Sequence, residues 1–173
     1  MRRFVFCLAL LVLAGTALAG DNRLGIYFDE DEWTENCHEF APLDVFDTYF
    51  VFRNSTVDAL GGFEFAWRLA PDPGAQVLVI ALQLPPGAGE LFDEYYNLIV
   101  GLGQPLIAAD GPVVLARATL MAMAAFEADL QLGPTTPATI PGHAAFNDFY
   151  EPSNVQPMTF AGDVDDEGWT TPG

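Results

Sequence analysis

Lysine is absent from the 173 residues, and six arginines are set against 24 aspartates and glutamates, for a net charge of −18. That imbalance excludes ordinary phosphate binding and nucleic-acid partners, because nucleic-acid affinity comes largely from Lys and Arg displacing condensed counterions. Cysteine and histidine are nearly as scarce, at two each. Structural zinc wants paired ligands at C-x₂₋₄-C or H-x₃₋₅-H spacings, and Cys37-His38, with His143 far along the chain, does not supply them. There is no G-x-S-x-G elbow, and neither histidine lies in a signature that nominates a nucleophile partner. Internal repeats and long low-complexity linkers are also missing, so the length reads as one domain with a real core. The low hydrophobicity that keeps charged chains unfolded is missing too: 51% of residues are hydrophobic, which argues against disorder.

A long apolar run occurs at the N terminus. In MRRFVFCLALLVLAGTALAG a basic pair, Arg2-Arg3, precedes an apolar stretch from Phe4 to Ala14 and small residues at Ala17 and Ala19. The stretch is too short to span hydrocarbon comfortably and ends in a cleavable Ala-Leu-Ala step, so residues 1–19 are expected to be a secretory signal peptide. Its removal would leave four arginines against the same 24 acids, a charge of −20. Cys7 would leave with it, and no cysteine follows the cleavage site as a lipid acceptor. The expected product is secreted, extracellular, periplasmic or at the cell surface, with no membrane span after cleavage. Cys37 then has no intrachain partner and is expected to be buried or half-buried as a small hydrophobe, an intermolecular bridge and a reactive thiol being the alternatives.

Period-two alternation dominates the remainder and places successive side chains on opposite faces of strands. Phe63, Phe65, Trp67 and Leu69 fall on one face of GGFEFAWRLA, with Glu64, Ala66 and Arg68 on the other. Phe46, Phe50 and Phe52 share a side of VFDTYFVFR; Leu78, Ile80, Leu82 and Leu84 share one in QVLVIALQL; Phe126, Ala128, Leu130 and Leu132 alternate with polar residues. Pro and Gly punctuate these runs at 71–74, 85–87, 133–134 and 141–142. Strands so separated, without long helices between them, predict an all-β fold: a single antiparallel β-sandwich, jelly-roll or immunoglobulin-like, over residues 20–161. Nine strands are expected, near 24–28, 44–53, 61–70, 76–84, 96–102, 112–124, 126–132, 143–150 and 156–161. VVLARATLMAMAA, from Val113 to Ala125, has helical propensity, but its flanks favour a strand leading into a hairpin or corner. A short helical turn is expected from Glu90 to Tyr95, and residues 162–173 read as an acidic tail or loop.

The order of these segments, with GGFEFAWRLAPDPG early and GPVVLARATLMA later, resembles the cohesin-like and carbohydrate-binding-like β-sandwiches of exported bacterial proteins. The GIYFD start after the signal peptide is also similar to uncharacterised secreted proteins of environmental bacteria. The resemblance spans residues 24–161 and implies the fold; DEDEWTENCHEF departs from the usual start of cohesins proper, and no site residue is carried over.

Two acidic runs offer oxygen ligands of the kind calcium takes. One contains Asp29 and Asp31 together with Glu30, Glu32 and Glu35; the other, DVDDEG, spaces Asp163, Asp165 and Glu167 alternately, but lacks the twelfth-position Glu of a complete calcium loop. A solvated acidic surface suited to solubility or a salty environment is the better account of each run. Trp33 and Trp169 lie in acidic, turn-like segments, and Tyr95-Tyr96 follows a loop, so these four rings would either stack on a sugar or cap the ends of the sandwich. Asn54-Ser55-Thr56 matches a glycosylation acceptor.

The expected function is that of a non-catalytic exported binding or structural module whose partner is a protein or polysaccharide at the cell surface; no cofactor is expected, calcium being the one candidate. A carbohydrate-active or other secreted hydrolase is the alternative that a close, buried acid pair in a cleft would favour. A self-assembling surface subunit, joined through exposed strand edges, is a second.

Overall fold

The computed structural model describes residues 21–90 and 96–170. The signal-peptide segment lies outside them, as do Tyr95 and all of the expected helical turn except Glu90, which ends a strand. Among the described residues eleven strands follow one another: β1 (Arg23–Tyr27), β2 (Val45–Arg53), β3 (Ala59–Ala70), β4 (Val77–Gln83), β5 (Ala88–Glu90), β6 (Asn97–Ile107), β7 (Val113–Ala122), β8 (Asp129–Gly133), β9 (Ala145–Asp148), β10 (Val155–Pro157) and β11 (Thr159–Phe160). The helical content of the described residues is a single 3-10 turn, Gly74–Gln76, and no helix there is long and apolar enough to cross a membrane. Relative to the expected nine strands, β5 is additional and the last one is divided into β10 and β11.

The strands form the two sheets of a sandwich. The first has the order β11-β1-β2-β7-β4 and the second β10-β9-β3-β6-β5. β8 also joins the second sheet, sharing one edge of the long strand β3 with β9: β9 pairs with Leu60–Glu64 and β8 with Ala66–Ala70. The pairings are antiparallel except for the short contact of β11 with β1. β7 therefore runs in one sheet and β8 in the other, so the predicted hairpin or corner is a corner. Val113–Ala122 is strand despite its propensity because it is central, hydrogen-bonded to both β2 and β4, and buries Leu115, Leu120 and the small Ala116, Ala118 and Ala122.

Aromatic rings join the sheets. Phe50 on β2 lies 5.1 Å from Phe65 and 5.3 Å from Trp67 on β3, and Phe52 lies 5.0 Å from Phe146 on β9. All five are buried, and Phe50, Phe52, Phe65 and Trp67 lie on the faces that alternation assigns them. Truncating one such ring to alanine costs about 3–5 kcal/mol, a large part of the roughly 5–15 kcal/mol that holds a domain folded.

In β4 the alternation misleads. Leu78 and Ile80 are 47% and 48% exposed, whereas Val77, Val79, Leu82 and Leu84 face or pack against the core. The register with β7 shifts between Val79 and Ala81, and the irregularity reverses the phase halfway along this edge strand. On β3, Glu64 and Ala66 point away from the core as expected yet are buried, because segment 134–142 crosses above them. Thr139 donates its backbone N–H and its hydroxyl to the Glu64 carboxylate at 2.6 and 2.7 Å, and Thr136 and Asn97 exchange two hydrogen bonds at 3.0 and 2.9 Å.

Thr48, between Phe46 and Phe50 on β2, is fully buried and its hydroxyl has no hydrogen-bond partner. Valine keeps the shape and removes the unsatisfied group, which is worth about 1–3 kcal/mol when left unpaired. Thr48→Val should therefore raise the melting temperature by a few degrees in a thermal scan. A lower midpoint would mean that the hydroxyl finds a partner in solution.

Candidate functional site

Segment 28–44 carries no regular structure, and one carboxylate organises its first half. Asp29 accepts backbone N–H bonds from Glu32, Thr34 and Glu35 at 3.1, 2.9 and 2.8 Å, while the Phe28 N–H donates to the Glu35 carbonyl at 2.8 Å. Desolvation works to raise the Asp29 carboxyl, but the N–H groups, led by Glu35, outweigh it and hold the pKa below the ordinary value. The tightened loop presents Trp33 at a φ of 55°. Its carbonyl accepts a bond from the Arg53 guanidinium at 2.6 Å, and its ring meets Tyr49 and Tyr27 edge-on at 5.4 and 6.5 Å. Arg53 covers the Tyr27 ring at 4.5 Å. Trp33 is thus pinned over β1 and β2.

Beyond Trp33 the chain passes the end of these strands and reaches the gap between the sheets. His38 stacks on Phe28 at 5.5 Å and lies 5.0 Å from Phe46; Phe40 stacks on Phe46 at 5.3 Å and meets Phe126 at 4.7 Å. These rings enclose one side of a cavity of about 450 Å³. Buried Leu120 and Leu132 form its floor, and half-buried Ile26, Leu69 and Leu130 its walls. The opening follows from the topology: β11 pairs with β1 only at Arg23 and Leu24, so beyond Leu24 the space between β1 and β8 is closed by side chains alone. The exposed residues Asn36, Cys37, His38 and Asp129 rim it. Cys37 is therefore exposed, contrary to the burial expected of a free cysteine, because its segment arches over a cavity rather than packing into a core.

No arginine lines this cavity. Arg53 is held by Trp33 and Tyr27, Arg68 bonds Gln131 at 2.8 Å and covers the Trp169 ring at 4.1 Å, and Arg117 pairs with Asp47. The Arg117 hydrogen bond, aided by a 2.6 Å bond from the Thr119 hydroxyl, holds the Asp47 carboxyl below its ordinary range against the opposing effect of burial. Burial raises the Tyr49 phenol next to this pair.

The residues singled out by sequence are not brought together. The Asp29 carboxylate ties its own loop, and Asp31 is exposed on that loop. Asp165 does the same in the second acidic run, accepting N–H bonds from Glu167 and Trp169, each at 2.9 Å, while Asp163 and Glu167 are exposed. Among the described residues no group of three or more His, Cys, Asp or Glu side chains is placed to hold a metal. Segment 162–170 folds back as a loop: Thr170 is buried and exchanges two 2.8 Å bonds with the Leu132 backbone, and a side chain at Gly133 would come within 2.6 Å of the Trp169 ring. Tyr96 is 44% exposed and packs 4.7 Å from Trp67. Tyr95 lies outside the described residues. What residue patterns missed is the role of Phe28, His38 and Phe40. Their signal is a run of four rings, Phe28, Trp33, His38 and Phe40, in an acidic stretch without alternation; residue type points Trp33 to sugar and His38 to zinc, and neither to a shared cavity.

No family model matches the chain, and no curated protein matches it. Among solved structures, it is similar to a chain in the crystal structure of a type I cohesin–dockerin complex from Clostridium thermocellum. The identity is 10%, the match covers 82% of this chain and 90% of that one, and the TM-score is 0.48.

The Asp47–Arg117 pair carries a pH signature. A carboxyl held below its unfolded value, near pH 4, stabilises the fold above that pH and loses the contribution as pH falls through the folded value. Asp47→Asn should therefore lower the melting temperature at pH 7, and the gap to the wild type should close on acidification below about pH 4. A gap independent of pH would show that the pair is not maintained in solution.

Proposed function

We propose that the protein is an exported, non-catalytic binding module that takes a hydrophobic small ligand between β1 and β8. The observation that carries this is the cavity itself: about 450 Å³, with a leucine floor and aromatic rings on one side, and with polar groups both on its rim and, at buried Thr170, within it. Small-molecule sites have this construction and fall in the range of about 300–1,000 Å³. Export is supported by the basic, apolar and small-residue succession of residues 1–19.

The arrangement favours a module over a hydrolase. Glu64 is the buried carboxylate among the described residues; Thr139 engages both of its oxygens, and it does not line the cavity. A general acid or base needs a free oxygen within reach of substrate. A polysaccharide platform is disfavoured because the Trp33 ring packs edge-on against Tyr27 and Tyr49, and the Trp169 ring lies under Arg68 and against Gly133, rather than both being presented on one surface.

A second reading, self-assembly, is favoured by the outer face of the first sheet. Leu78, Met121 and Val45 stand in one cross-strand row, joined by exposed Ile80, Met123 and Leu43, and the row ends on the edge strand β4. Apolar rows at an unpaired edge invite a second chain. Sedimentation at micromolar protein would then show a dimer that Leu78→Lys dissolves; a monomer at all concentrations removes this reading.

Binding in the cavity is checked with the uncharged fluorophore N-phenyl-1-naphthylamine. It should bind saturably, one per chain, with enhanced emission. Ala128 and Ala161 line the space, so Ala128→Phe and Ala161→Phe should each fill it and weaken binding at least tenfold while the melting temperature holds or rises. Absence of saturable binding, or equal binding to the filled variants, overturns the proposal.

A further inference from the structure

We infer that the ligand of this cavity is a hydrophobic cation, an apolar tail carrying an alkylated or quaternary ammonium group; this deepens the binding reading above and rests on it. Six aromatic side chains line the space: Tyr27, Phe28, His38, Phe40, Phe46 and Phe126. Ring faces are negative, and they attract ammonium groups most when water is excluded. A methylated ammonium also presents apolar methyl groups and has no N–H that must find an acceptor, so it can rest on the ring faces without needing a partner among the polar groups that also line the space.

The electrostatics favour a cation over an anion. A fatty carboxylate entering the cavity would need a buried cation or convergent N–H donors to replace its water. No arginine lines the space, lysine is absent from the chain, and Arg53, Arg68 and Arg117 are engaged elsewhere. The charged group on the rim is Asp129, and Glu35 and Glu39 flank the rim residues Asn36 and His38 in sequence. An ammonium group at the mouth would therefore sit beside carboxylate, with aromatic walls behind it. The net charge of −18 would also concentrate cations near the surface, an effect that salt screens.

The test is displacement of the uncharged fluorophore from the purified protein by four competitors, each below its critical micelle concentration: octyltrimethylammonium, octanoate, octanol and tetramethylammonium. Octyltrimethylammonium should displace at concentrations about tenfold below those of octanoate and also below those of octanol. Tetramethylammonium alone should be weaker than the octyl compound by a hundredfold or more, since the tail supplies the burial. Asp129→Asn should reduce the preference for cation over octanoate about threefold, and Asp129→Glu should retain it. If octanol displaces but octanoate equals or exceeds the cation, the sign inferred here is overturned while the cavity stands. If tetramethylammonium matches its octyl analogue, the cation binds a surface site and the inference fails. If no competitor with an octyl chain displaces the fluorophore, the binding reading itself fails.

Discussion

The contact on which the rest of the structure depends is that of Phe50 with Phe65 and Trp67, which locks β2 of one sheet to β3 of the other. Two sheets packed face to face are about 10 Å apart, and large rings fill that distance without gaps. With the contact in place at the centre and Phe52 against Phe146 toward one end, the sheets are held in register. Toward the other end the inward positions of β3 and β8 carry Leu69 and Leu130, which are smaller than the rings that meet at the centre. The same spacing that the aromatics establish therefore leaves a space between β1 and β8. Segment 28–44 and Phe126 cover this space instead of filling it.

The strong negative charge determines how the few positive residues are used. Each of three arginines combines a polar partner with the face of a ring: Arg53 with the Trp33 carbonyl and Tyr27, Arg68 with Gln131 and Trp169, and Arg117 with Asp47 and Tyr49. Arginine does this better than lysine because its planar guanidinium stacks and donates in its own plane at once. Acids without an arginine are accommodated by N–H and O–H donors: Asp29 and Asp165 by the backbones of their own loops, Glu64 by Thr139. The acidic runs that look like ligand sets in one dimension are thus partly loop-building devices in three.

Legibility followed the range of the interactions. Strand type and facing were readable where a strand lies inside a regular ladder, as for Phe63, Phe65 and Trp67, because period two is a local property. They were misread in β4, where an irregularity set by pairing with β7 inverts the phase after Val79. The site was less legible still. Trp33, Asp29 and His38 lie within ten residues of one another, but whether a ring there meets sugar, core or cavity depends on Arg53, Phe46 and Phe126, which arrive from other elements. The exposure of Cys37 has the same origin: residue type favours burial, and the arch over the cavity overrides it.

Placing an aromatic-lined space beneath an acidic loop has a cost in stability and a consequence for selectivity. Half-buried Phe28, Phe40, Phe46 and Phe126 retain contact with water that a filled core would remove, so each contributes less than its full hydrophobic worth. Segment 28–44 is nevertheless anchored at its beginning by the Asp29 loop and the Arg53–Trp33 bond, and at its end by the Leu43 N–H donating to the Ala122 carbonyl at 2.6 Å. A span fixed at both ends leaves the part between, which carries Asn36, Cys37 and His38, as the natural point of entry. On the binding reading proposed above, a solute entering there would pass the Asp129 carboxylate and meet rings before it reached the leucine floor. That order, acid outside and aromatic within, would separate hydrophobic solutes by charge before shape is tested.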